Sequence, residues 1–84
     1  PELCSNLEAL AEGLLLQEDY DSAEGVFNRS LALREKADDH DGARAVLHRL
    51  GWVCWLGEKK DSAELYFQRA LQLDIIQIPQ AASQ

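Results

Sequence analysis

The sequence predicts an all-α protein: two helix-turn-helix repeats whose four antiparallel helices form a short α-solenoid. Three observations predict it. The 84-residue chain repeats itself with a period of 40 residues. Each unit carries two stretches with apolar residues at helical spacing, and short polar segments separate those stretches.

The repeat is read by placing Leu7 to Leu33 over Leu47 to Leu73, where twelve of 27 positions are identical. The pairs include Leu7/Leu47, Leu10/Leu50, Phe27/Phe67 and Leu31/Leu71, and an Asp-Ser-Ala-Glu block stands at both 21–24 and 61–64. A fixed period of about 20–50 residues marks a solenoid built from one supersecondary unit. The chain therefore reads as a single domain over 1–84, with repeat 1 over about 4–40, repeat 2 over about 44–76 and a C-terminal tail at 77–84.

Helices are expected at about 3–16, 20–37, 42–56 and 60–75. On the third, Leu47, Leu50 and Cys54 fall within about 60° of one another, which makes one apolar stripe. On the fourth, Ala63, Phe67, Ala70, Leu71 and Leu73 recur at the same spacing. Gly57 is placed to end the third helix, and Asp19 suits an N-cap for the second. The segment Asp38–Gly42 is polar and reads as the joint between the units. Small residues let the helices approach: Ala11 and Gly51 on the first helix of each unit, Ala23 and Ala63 on the second, with Phe27 and Phe67 filling the space one turn later. Leu7, Leu10, Leu14, Phe27, Leu31, Leu47, Leu50, Cys54, Ala63, Phe67 and Leu71 are expected to be largely buried.

Composition narrows the function. The formal charge is -7, and residues 1 to 28 hold seven acidic side chains with no Lys or Arg. Such a chain repels phosphate backbones, so no nucleic-acid partner is expected. No apolar run reaches the roughly 18 residues that cross a membrane, so no membrane partner is expected either. Pro1 is not a translation start, and the chain is expected to be a piece of a longer protein. Cys4 and Cys54 match neither a disulfide framework nor a zinc site and are expected to be buried reduced thiols in a cytoplasmic protein.

Motifs that carry chemistry are weak. Asp39-x-Asp41-Gly42 has the middle of a calcium loop, but Ala37 and His48 stand where its first and its bidentate ligand belong. Gly51 and Gly57 lie at the wrong spacing for a phosphate-binding loop. Asn28-Arg29-Ser30 matches a glycosylation acceptor in mid-helix. No nucleophile stands beside a base, so the segment is read as no enzyme, with no cofactor and no metal.

The pattern Leu47, Leu50, Gly51, then Ala63, Phe67, Ala70, Leu71 resembles the tetratricopeptide repeat, over roughly residues 4 to 75. The first unit gives it as Leu7, Leu10, Ala11, then Ala23, Phe27, Ser30, Leu31. The 40-residue period is similar to the lengthened repeats of kinesin light chains, spindle-orientation adaptors and bacterial MalT-like regulators. A longer second helix and connecting loop are expected to hold the extra residues. The resemblance implies a protein-interaction module in a larger adaptor or regulatory protein, with a concave groove lined by the first helices. On a wheel with Leu47 at zero, Trp55, His48 and Trp52 lie at about 80°, 100° and 140°. Their counterparts are Leu15, Glu8 and Glu12, and these six are the expected groove residues. Leu7, Leu10, Ala11, Ala23, Phe27, Leu47, Leu50, Gly51, Ala63, Phe67 and Ala70 are the expected repeat-packing residues.

Two Trp on one surface suit a binding hot spot, and Glu8 with Glu12 suits a cation. The expected partner is a protein or peptide that combines an apolar residue with Lys or Arg. Family members that grip a chaperone's C-terminal carboxylate use Lys and Asn at places where this chain has Glu8, Glu12, His48 and Trp52. Two alternatives stand beside the adaptor reading. One is a structural solenoid segment that stacks on neighbouring repeats or forms a homo-oligomer through its open end, where Ile75, Ile76 and Ile78 replace a polar cap. The other is the sensor arm of a bacterial signalling regulator.

Overall fold

The computed structural model describes residues 2–77, with side chains through residue 73. They form four helices: α1 (Glu2–Leu16), α2 (Tyr20–Lys36), α3 (His40–Leu56) and α4 (Lys60–Gln77). There is no strand among the described residues. Each helix packs on the next in chain order, so α1/α2 and α3/α4 are the two repeats and the α2/α3 contact joins them.

Every connection is three residues long and has the same construction. Glu18, Asp38 and Glu58, spaced 20 residues apart, all take a left-handed backbone, at φ 61°, 57° and 65°. The residue after each donates its N–H back to the helix it leaves: Asp19 to the Leu14 carbonyl (2.9 Å), Asp39 to Arg34 (2.9 Å) and Lys59 to Cys54 (2.7 Å). The left-handed residues donate to Leu15, Glu35 and Trp55. These paired bonds are Schellman closures, which satisfy carbonyls that a helix end otherwise leaves bare. The next helix then starts at once, with Asp39 capping the Gly42 N–H at 3.0 Å and Asp19 the Ser22 N–H at 3.4 Å.

Two expectations are corrected here. Asp38–Gly42 is not a five-residue joint, because His40 to Gly42 already form the first turn of α3. The connecting loop is therefore no longer than the other two, and the additional residues lie in the helices, which run 15, 17, 17 and 18 residues. Gly57 ends α3 as expected, at φ -83°, and the left-handed position falls one residue later, on Glu58.

The core is one cluster of Ala11, Ala23, Phe27, Leu31, Ala43, Val46, Leu47, Leu50, Val53 and Ala70. Cys4, Cys54 and Ala63 are also buried. Leu7, Leu14 and Phe67 are half-buried. The close approaches expected of small residues are present: a Cβ added to Gly51 would lie 2.5 Å from the Phe67 ring. Leu10 and Leu71, expected inside, are 54% and 57% exposed. Their counterparts Leu50 and Leu31 are 0% and 2% exposed. The reason is position in the stack. Leu50 and Leu31 face the other repeat, whereas Leu10 and Leu71 point away from it at the two ends. The apolar residues Ile75, Ile76 and Ile78 lie outside the described side chains.

Polar contacts hold the two repeats in register. The Lys59 ammonium lies 2.7 Å from Asp21 and 3.3 Å from Glu24. The Tyr66 hydroxyl donates to Glu24 and accepts from the Asn28 amide, both at 3.0 Å, so Asn28 serves the repeat contact. Arg69 reaches Glu35 at 3.2 Å. Both cysteines are free and buried. Burial, with Glu24 nearby, pushes the Cys54 thiol up to about 11, which makes it a packing residue and not a nucleophile at neutral pH.

Candidate functional site

The first helices carry the surface that packing does not explain, and it divides into two hollows on either side of α3. Toward α1, a hollow of about 170 Å³ is lined by Glu8, Glu12, Phe27, Ala45, Val46 and Arg49. Toward α4, one of about 330 Å³ is lined by Trp52, Trp55 and Phe67.

In the first hollow, both acids face an arginine. The Glu8 carboxylate accepts from the Arg34 guanidinium at 2.6 and 3.0 Å and from the Ser30 hydroxyl. The same Arg34 reaches Asp39 at 2.5 Å. Burial pushes Glu8 up, but the hydrogen bonds from Arg34 and Ser30 outweigh it, and its carboxyl lies below the usual carboxylate range. Asp39 is also lowered, by the Gly42 N–H and then by Arg34. Arg34 is raised, chiefly by its bonds to Glu8. This network ties α1 to α2 and to the start of α3. It makes Glu8 a structural group, whereas its place on the helical wheel alone suits a free attractant for a ligand's cation. Glu12 is paired with Arg49 at 2.9 Å, although both side chains stay well exposed.

In the second hollow, Trp52 is 56% and Trp55 51% exposed. The exposed His48 ring lies 6.1 Å from that of Phe67. The Lys60 ammonium sits over the Trp55 ring at 5.5 Å from its centre. Leu15, the counterpart of Trp55, is half-buried against the core and contributes to neither hollow.

Of the six residues expected in the groove, Trp52 and Trp55 line one hollow and Glu8 and Glu12 line the other. The structure adds Arg49 and Phe67. Arg49 shows no signal on a single-helix wheel, since only its pairing with another helix gives it a role. Phe67, expected to pack between the helices, is half-buried and also lines the second hollow. Its partial exposure follows from its place in α4, since among the described residues no following helix covers it as α3 covers Phe27. Among the described residues no group of His, Cys, Asp or Glu could hold a metal ion, and no helix is long and apolar enough to cross a membrane.

Four helices in two matched hairpins, joined by identical closures and carrying their exposed aromatics on a first helix, define an all-helical repeat module. The family model described as Tetratricopeptide repeat matches residues 2–75, and the chain belongs to that family. A search of curated proteins and a search of solved structures each returned no significant match. Membership makes protein partners the expected ligands, and repeats of this family are typically interaction modules without catalysis.

Proposed function

We propose that this chain is a binding module of a larger cytoplasmic adaptor or regulatory protein, and that the α1/α3 face holds a peptide or helix. The observation that carries the reading is the Trp52–Trp55–Phe67 hollow. Two half-exposed indoles are large, rigid and cheap to order, and such residues dominate binding energy where they cluster. The reading assigns the module no catalytic role and no cofactor.

The partner is a segment with a large apolar residue for the hollow and a Lys or Arg beside it. The Lys60 ammonium over the Trp55 ring, 5.5 Å from its centre, supports a preference for a cation beside an indole face. Glu12 can exchange Arg49 for a partner's cation, because both groups are accessible. Glu8 cannot without breaking the Arg34 network.

The test is titration with basic-apolar and acidic peptides at several salt concentrations, followed by Trp fluorescence or calorimetry. Trp52→Ala should weaken binding of the basic-apolar peptide by at least about tenfold, the range of a hot spot. Unchanged affinity in that variant, or tighter binding of acidic peptides, refutes the groove.

The exposed Leu71 and the half-exposed Trp55 favour a second reading of the other surface. In it the outer face of α4 is covered, by a neighbouring repeat or by another copy of the chain.

A further inference from the structure

The two helices that form the groove differ in charge. α1 holds Glu2, Glu8 and Glu12 and no base, whereas α3 holds Arg44 and Arg49 against one acid, Asp41. Glu8 is held by Arg34 and Ser30, and Arg44 lies 3.5 Å from Asp41. In the hollow between the helices the accessible charges are therefore Glu12 and Arg49, which are 2.9 Å apart and 39% and 57% exposed. Arg49 and Trp52 stand one turn apart on α3 and are neighbours on its surface. Trp52 in turn lines the hollow on the α4 side. Across the face the order is acid, cation, indole.

We propose that this face reads a dipolar segment: an extended partner chain that places a Lys or Arg on Glu12, an Asp or Glu on Arg49 and a large apolar residue on Trp52. The inference rests on the groove reading above and adds to it the acid and the order. In an extended chain every second side chain points the same way, about 6.6 Å from the last, so the three residues fall at alternate positions. Either chain direction puts the acid in the middle.

The ion pair itself requires both ligand charges. An exposed pair is held weakly, so a ligand can exchange with it. A cation drawn to Glu12 comes within a few ångströms of Arg49 and is repelled there, and an acid drawn to Arg49 meets Glu12 in the same way. A ligand that brings both leaves neither member of the pair without a counter-charge. Glu8 does not take over Arg49, because its carboxylate is engaged by Arg34 and Ser30. The field of the chain acts in the same sense. Residues 1 to 28 hold seven acids and no Lys or Arg, which draws the cationic end of the ligand toward repeat 1.

The test uses the whole chain and two end-blocked peptides of one composition, Lys-Ser-Glu-Ser-Leu and Glu-Ser-Lys-Ser-Leu, followed by the protein's Trp emission. The first should bind at least about fivefold more tightly, since the second turns two attractions into two repulsions. The double variant Glu12→Arg with Arg49→Glu keeps an ion pair but reverses its order, and it should prefer the second peptide by a similar factor. Lys-Ser-Ser-Ser-Leu, which lacks the acid, should bind more weakly than the first peptide, and Arg49→Gln should close that gap. Circular dichroism establishes that each variant is folded, and the single exposed substitution stands in if the double one is not. Equal binding of the two isomeric peptides, with both weakened by Trp52→Ala, overturns the dipolar reading and leaves the groove in place. A reversed pair that keeps the native preference, or a gap that Arg49→Gln leaves unchanged, overturns it as well. If neither isomer binds, the dipolar reading fails, and the titration with basic-apolar peptides and Trp52→Ala decides the groove separately.

Discussion

Leu31 and Leu71 occupy the same place in the two repeats, yet truncating them should have very different consequences. Leu31 is 2% exposed between the repeats, and Leu71 is 57% exposed on the outer face of α4. Truncating an enclosed leucine to alanine forfeits its transfer energy and leaves a cavity, which together cost about 2–5 kcal/mol. Leu31→Ala is expected near the middle, at about 3 kcal/mol. Leu71 has less than half of its surface to lose and leaves no enclosed void, so Leu71→Ala should cost about 1 kcal/mol or less. Domains of this length hold roughly 4–12 kcal/mol in all, so Leu31→Ala removes a large part of the total. Urea unfolding followed by circular dichroism measures both. At a slope of about 1–3 kcal/mol/M the Leu31→Ala midpoint falls by at least about 1 M, with the slope unchanged. An osmolyte such as trimethylamine oxide keeps the variant folded at zero urea if required. Work at low micromolar concentration isolates the single chain. Equal losses for the two variants refute the reasoning, because they require that Leu71 be as enclosed as Leu31.

Three further outcomes follow from particular contacts. Glu8 has a folded-state pKa below its unfolded value, so its contribution is complete above the ordinary carboxylate range and is lost as pH falls through the lowered value. Glu8→Gln should therefore flatten the acid limb of the stability profile and cost about 1.5–3 kcal/mol at neutral pH; an unchanged limb in thermal melts against pH counts against the Arg34 network. Glu58→Gly relieves a left-handed residue and should stabilise by about 1 kcal/mol, raising Tm by about 4–8 °C, with a smaller gain for Asp38→Gly because Asp tolerates that backbone better. Gly51→Ala drives a Cβ into the Phe67 ring and should cost about 1–3 kcal/mol while the ring shifts in NMR spectra; a silent substitution would show that the crossing is loose.

The sequence by itself determined the helices, their pairing into repeats and much of the core. Those features are local or periodic. Asp19 and Asp39 can cap a helix start wherever the chain goes, and Phe27, Leu31, Leu47 and Leu50 fall on stripes set by the helix's own turn. The twelve positions shared by Leu7–Leu33 and Leu47–Leu73 also showed that the two units are built on one packing pattern. Only the tertiary structure decided which member of each identical pair is enclosed. Periodicity places Leu10 like Leu50 and Leu71 like Leu31, but burial depends on a neighbouring helix, and among the described residues no further helix packs over Leu10 or Leu71. The charges follow the same rule. Glu8 reads as a surface acid until Arg34, 26 residues away, is folded against it. Glu12 meets Arg49 only when α1 and α3 lie side by side. The left-handed residue after α3 is Glu58 and not the neighbouring Gly57, because the Schellman bonds count residues back to Cys54 and Trp55 and take whichever side chain stands there.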